Sequence, residues 1–289
     1  MPSDVIQWFP GHMAKTRRLM QECLSSVDLS IEILDARIPS SSRNPEIQKI
    51  LGSKPILTLL SKASLADPRA TEAWITHQKS QGMLCLPYDA ITGEGTDKLL
   101  PAIHTLLSEK LARYAAKGMD GRRIRAMVVG IPNVGKSTFI NHMAGSKKAK
   151  AENRPGVTVT KQWVSTPMGL DLLDMPGVLW PKFEDRITGE NLAITGAIKD
   201  SILNTDEIAM LLCGRLRERY PTFFAERYKL TEEELSELDL YDLFLAVGRH
   251  RGFLMAGGVI NEERTATALL EEFRNAKIGR ITLEMPKGL

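Results

Sequence analysis

The run Gly130-Ile131-Pro132-Asn133-Val134-Gly135-Lys136-Ser137 fits the pattern G-x-x-x-x-G-K-[ST] at every fixed position. Residues of these types at this spacing can hold a chain of phosphates. The glycines let the backbone curl so that its N–H groups, including those of Val134, Gly135 and Thr138, point inward. Lys136 adds a positive charge near the terminal phosphates, and Ser137 offers a hydroxyl to Mg2+. A helix that starts at the loop presents its positive end to the same anion. Asn133 has an amide oxygen suited to a monovalent cation beside the phosphates, which would supply charge where other enzymes use an arginine.

Asp174-Met175-Pro176-Gly177 follows, with Asp174 standing 37 positions after Ser137. A D-x-x-G at the end of a strand puts a carboxylate near Mg2+ and a glycine N–H near the γ-phosphate. Between the two motifs lies Arg154-Pro155-Gly156-Val157-Thr158. Thr158 is either a ligand that completes the Mg2+ shell only when the third phosphate is present, or a plain turn residue. The next residue after Gly177 is Val178, where many GTP hydrolases place a glutamine to orient water. Valine cannot do so, and a catalytic group must come from elsewhere.

These residues need a scaffold. Residues 27–35, 55–60 and 83–87 read as strands, and the helical patterns 44–51, 68–81 and 95–116 separate them. Arg125 to Val129 reads as a buried strand leading into the loop, and Thr138 to Ala144 as the start of a helix. Gln162–Val164 and Leu170–Leu173 read as further strands. Strands alternating with helices predict a doubly wound parallel α/β sheet with ligands at the carboxyl ends of its strands. Beyond Asp185 the strand signal fades. Residues 189–204, 205–218, 231–247 and 261–276 read as helices, with a break at Pro221 and a tail from Ile278 that forms a strand or an arm. A boundary near residue 180 divides the chain into domains 1–180 and 181–289.

Composition sets outer limits. At 289 residues, 43% hydrophobic and 25% charged, the chain suits a globular protein of one or two domains. It has no long apolar stretch of membrane-spanning length and no secretory signal, and Cys23, Cys85 and Cys213 read as reduced thiols, so a cytoplasmic protein is expected. The net charge of +3 hides basic clusters at Lys110–Arg125, at Lys147–Lys161 and in the last third. Such clusters either meet a nucleic-acid backbone or are solvated helix faces.

Together with Trp8-Phe9-Pro10-Gly11-His12-Met13, Asp35-Ala36-Arg37-Ile38-Pro39 and Ser42-Arg43-Asn44-Pro45, these motifs resemble the circularly permuted GTPases of ribosome assembly over nearly the whole chain. The resemblance implies a P-loop NTPase sheet whose base-recognition motifs precede the phosphate loop, followed by a smaller all-helical domain. It implies GTP and GDP as ligands, Mg2+ as cofactor, stimulation by K+ at Asn133, and Ser137, Thr158 and Asp174 around the Mg2+. Its implied partners are a precursor of the large ribosomal subunit and its rRNA, met by the helical domain. Nothing in the sequence demands more than a monomer. His12 is implied as the group that replaces the missing glutamine beside Lys136 and Thr158, while its own chemistry equally suits a packing residue.

One motif departs from the family. Where the family reads N-K-x-D, this chain reads Ser61-Lys62-Ala63-Ser64. The lysine that packs on the base remains, and the carboxylate that reads guanine is gone, a contact of about 1–3 kcal/mol. Asp67 could stand in only if the loop bends. Tyr88-Asp89-Ala90-Ile91-Thr92-Gly93 fits a backbone contact to the guanine oxygen. Two readings stay open: a slow GTPase that switches the helical domain, and a purine-nucleotide-binding assembly scaffold with relaxed base choice and little hydrolysis.

Overall fold

Strand β1 (Leu29–Asp35) is buried at every residue, which requires cover on both faces. The computed structural model describes residues 11–145, 162–180, 183 and 185–286, with residues 11–13 as backbone only. Among them β1 pairs in parallel with β2 (Ile56–Ser61), and β2 with β3 (Leu84–Pro87). On its other side β1 pairs in parallel with β4 (Ile124–Val129). β5 (Gln162–Ser165) and β6 (Leu170–Asp174) complete the order β3-β2-β1-β4-β6-β5. Side chains alternate across the sheet: Ala126 and Val128 enter one apolar cluster, Met127 and Val129 another.

Helices α1 (Gly11–Cys23), α2 (Pro45–Leu51), α3 (Pro68–Ser80), α4 (Thr96–Leu106), α5 (Ser108–Ala115) and α6 (Lys136–Ala144) belong to this sheet region. Six helices follow: α7 (Arg186–Ile194), α8 (Thr205–Arg219), α9 (Pro221–Tyr228), α10 (Glu232–Glu237), α11 (Leu240–His250) and α12 (Glu262–Arg274). One apolar cluster runs from Leu29 and Phe139 through Leu212 and Phe244 to Leu283.

Several expected elements differ from the observed ones. β5 pairs antiparallel with β6, because residues 166–169 between them suffice for a hairpin and not for a crossover. The expected helix 95–116 divides at Leu107, whose backbone leaves helical geometry while its side chain stays buried. The pattern 189–204 stops at Ile194, two residues before Gly196 takes a left-handed φ of 77°. Pro221, expected as a break, instead opens α9 at the first helical position, where its missing N–H costs nothing. The pattern 231–247 divides at Leu238, and Asp239 caps the new helix by accepting from the Asp242 amide.

The tail is an arm, not a strand. Ile281 N donates to Leu65 O and Leu283 N to Arg37 O. Arg280 donates to Ala66 O (2.9 Å) and Ala63 O (2.8 Å). The half-buried Glu284 carboxylate accepts from the amides of Ser40 and Ser41 and from Asn191 Nδ2.

At the end of β1 the buried Asp35 carboxylate accepts from Arg37 Nε (2.9 Å) and Nη2 (2.7 Å) and from Lys62 Nζ (3.0 Å). Burial alone would raise its pKa. Arg37 and Lys62 outweigh burial and hold the carboxyl well below the usual carboxylate range. Arg37 also stacks 5.4 Å from the Phe273 ring and donates to Arg274 O, so the cluster joins the sheet to α12. A carboxyl depressed by folding stabilises the fold above its ordinary value of 3.8, and that contribution is lost as pH falls toward the folded value. Asp35→Asn should therefore cost about 3–5 kcal/mol in urea unfolding at pH 7. The gap between variant and wild type should narrow as pH falls below 3.8. A gap that is constant across this range would contradict the ionic account.

Candidate nucleotide site

The loop 130–135 leaves the carboxyl end of β4 and runs into α6 at Lys136. Gly130 takes a φ of 150°, and a Cβ there would lie 2.5 Å from Ile33 O on the adjoining strand. Asn133 adopts the left-handed region with a φ of 59°, which asparagine tolerates better than most residues. Val134 is buried, Ser137 half-buried and Thr138 exposed.

Lys136 is buried, and its ammonium donates to Ile131 O (2.8 Å). Burial pulls its pKa down to about 8, while the Asp174 carboxylate works in the opposite direction. An anion bound in the loop would favour the charged form in the same way. Gly177 closes the other side. A Cβ at this position would meet Lys136 Nζ at 2.5 Å and Pro132 N at 2.9 Å. The absence of a side chain at 177 thus leaves room beside the lysine. Asp174 is buried at the end of β6, near enough to the Lys136 ammonium to act on its charge, and Ser137 stands in the first turn of α6. A carboxylate and a hydroxyl are hard oxygen donors of the kind Mg2+ takes, so the residues present fit that ion. When bound, it supplies positive charge against the phosphate oxygens.

The loops at residues 61–64 and 88–93, expected to border the base, stand at the carboxyl ends of β2 and β3, in the same row as the phosphate loop. Ser61 Oγ donates toward Leu34 O and Val134 O, which fixes the loop against its neighbours. Lys62, in left-handed conformation, reaches Asn133 O at 2.6 Å as well as Asp35. Ser64 contacts the Asp89 carboxylate through both its amide and its hydroxyl. Ala90 O lies 2.8 Å from His142 Nδ1 of α6. The structure therefore gathers Ser61, Lys62, Ser64, Asp89, Ala90, Asn133, Val134, Gly135, Lys136, Ser137, Thr138, Asp174 and Gly177 along one rim. The His12 side chain and Thr158 lie outside the described residues.

Asp67 does not supply the missing carboxylate. It caps α3 by accepting from the Arg69 amide (2.8 Å), and its other oxygen accepts from Tyr220 OH (3.1 Å). Sequence reasoning also missed the brace Asp35–Arg37–Lys62 and the contact of Asn133 Nδ2 with Gly196 O (2.7 Å). The only signal for the first was an aspartate closing a fully buried strand; the second spans distant segments and has none.

Residues 125–239 match the family model of the 50S ribosome-binding GTPases. Ribosome biogenesis GTPase A of Bacillus cereus is 47% identical over 283 residues, covering 98% of this chain and 95% of that one. The protein of the same name from Priestia megaterium is 49% identical over 282 residues, 97% of each chain. The chain belongs to the ribosome biogenesis GTPase A family. It is accordingly a P-loop GTPase. The crystal structure of GNP-bound YlqF from T. maritima has the same architecture, with a TM-score of 0.65 at 26% identity, covering 95% of this chain and 100% of that one.

The crowding at Gly177 yields a direct test. Gly177→Ala should displace Lys136 and the loop backbone, lower the unfolding midpoint, and reduce single-turnover GTP hydrolysis at least tenfold at a temperature where both proteins are folded. Wild-type hydrolysis by this variant would remove Gly177 from the site.

Proposed function

We propose that the protein is a GTP-driven assembly factor for the large ribosomal subunit, in which nucleotide state sets the position of the C-terminal helices. One observation carries the switching reading: the phosphate loop touches the helical region directly, through Asn133 Nδ2 and Gly196 O just past α7. A second bond involves the segment that follows Gly177, where Asn44 Nδ2 donates to Val178 O (3.0 Å). Loss of the γ-phosphate frees the amides that held it, and both links bear on segments that would then move.

In this reading residues 1–180 form the permuted GTPase domain and residues 181–289 the helical domain that meets rRNA. Asn133, Val134, Gly135, Lys136, Ser137, Thr138 and Gly177 hold the phosphates. Ser61, Lys62, Ser64, Asp89 and Ala90 border the base. Ser137, Thr158 and Asp174 hold Mg2+. The Asn133 amide nitrogen is committed to Gly196, which leaves Oδ1 for K+. Val178 is buried and cannot orient water, so His12 takes that role. The relatives named above are ribosome biogenesis proteins, and this supports a ribosomal precursor as the partner. A cytoplasmic monomer fits this role; no helix among the described residues is long and apolar enough to cross a membrane.

The test is single-turnover GTP hydrolysis with and without large-subunit precursors, in potassium and in sodium. The expected result is at least tenfold acceleration by the particle, larger in potassium. Equal rates in all four conditions would favour a nucleotide-holding scaffold instead.

A further inference from the structure

The base-side rim holds an arrangement that the departure at residue 64 does not by itself predict. Asp89 is buried, with 2% of its surface exposed. Four neutral donors meet its two oxygens. Oδ1 accepts from the amides of Ile91 (2.8 Å) and Thr92 (3.1 Å), and Oδ2 from the amide (3.2 Å) and hydroxyl (2.5 Å) of Ser64. A carboxylate oxygen accepts about two such bonds, so Asp89 has no capacity left for a base. Its negative charge is instead directed at the Ser64 hydroxyl. A hydroxyl whose only hydrogen is committed to a carboxylate keeps its oxygen lone pairs and can act only as an acceptor.

We propose that Ser64 and Asp89 form the base-discriminating pair of this protein, with Asp89 pinning the Ser64 hydroxyl as a single acceptor where the family has a two-acceptor carboxylate. This rests on the reading above that residues 61–64 border the base. Guanine offers two neighbouring donors, the ring N–H and the exocyclic amine; a carboxylate takes both, and a pinned hydroxyl takes one. The second donor then contributes little to selection. Asp67, the other nearby carboxylate, is held by Arg69 N and Tyr220 OH and adds no acceptor.

The pair also fixes what a repair of the motif would require. Ser64→Asp alone places a second carboxylate against Asp89, at the short separation the hydroxyl now occupies. Two anions in contact cannot both stay charged without displacing the loop. Asp89→Asn removes the charge clash: its amide oxygen still accepts from Ile91 and Thr92 and its nitrogen donates to the new carboxylate, with loss of the one bond from the residue-64 amide to Oδ2.

The experiment measures equilibrium binding of GTP, ITP and ATP by competition with a fluorescent guanine nucleotide. ITP lacks the exocyclic amine. Wild type should bind GTP and ITP within about threefold of each other. Ser64→Asp should gain less than threefold for GTP, and Ser64→Asp with Asp89→Asn should gain tenfold or more for GTP over both wild type and ITP. A tenfold preference of wild type for GTP over ITP would overturn the pair without any variant having to fold. Equal gains from the single and double variants would overturn the coupling to Asp89. Binding of none of the three nucleotides would overturn the parent reading and the pair with it.

Discussion

The contact of Lys62 with both Asp35 and the carbonyl of Asn133 is the constraint around which the site is arranged. A lysine half-buried among backbone groups needs a counter-charge, and Asp35 at the end of β1 provides it. Asp35 in turn is buried and needs Arg37. Arg37 extends the chain of contacts to Phe273 and to Arg274 O in α12. The loop at Lys62, the phosphate loop, the central strand and the helical region are thereby joined around one buried carboxylate, whose removal leaves Arg37 buried without its ionic partner. This explains why elements far apart in sequence are held in one geometry at the carboxyl ends of the strands.

The helical region is tied at other points as well. Asn133 meets Gly196 on the phosphate side. Arg280 meets Ala63 and Ala66 on the base side, and Tyr220 reaches Asp67 and Thr282 O. Arg274 donates to the carbonyls of Ala193 and Ile194 near the end of α7 and pairs with Asp200. The phosphate loop and the loop at residues 63–67 thus each have their own line to the C-terminal region. Such contacts are mostly hydrogen bonds to backbone carbonyls, each worth about 1 kcal/mol. They are weak enough singly to exchange partners when a loop shifts, and strong enough together to define a position.

Much of the sheet was legible from its patterns: Leu29 to Leu34 alternates around Ser30 and Glu32 and then turns apolar, and Ala126 to Val129 is an unbroken apolar run. The phosphate loop was legible because its glycines and lysine have no common alternative at that spacing. Helix ends were harder. Leu238-Asp239 looks like helix interior until Asp239 is seen to cap, and Pro221 looks like a break until it is placed at the first turn. The base loop was legible as a departure but not as a solution. The partner of Ser64 lies 25 residues away, and only the pairing of β2 with β3 brings the two loops together. The arm was legible only as one of two alternatives, a strand or an arm, since the partners of Arg280 and Glu284 lie more than 90 residues away in sequence and leave no local pattern.

The central claim is that the triphosphate and the helical region are mechanically joined through the phosphate loop. The most direct measurement places spin labels at Lys98→Cys on α4 and Glu218→Cys on α8, both exposed positions, with the native cysteines buried. Distances between them are then recorded with GDP and with a non-hydrolysable GTP analogue. The account predicts two distinct distance distributions, and Asn133→Ala should bring them together. Identical distributions in the two nucleotide states, with both nucleotides shown to be bound, would contradict it.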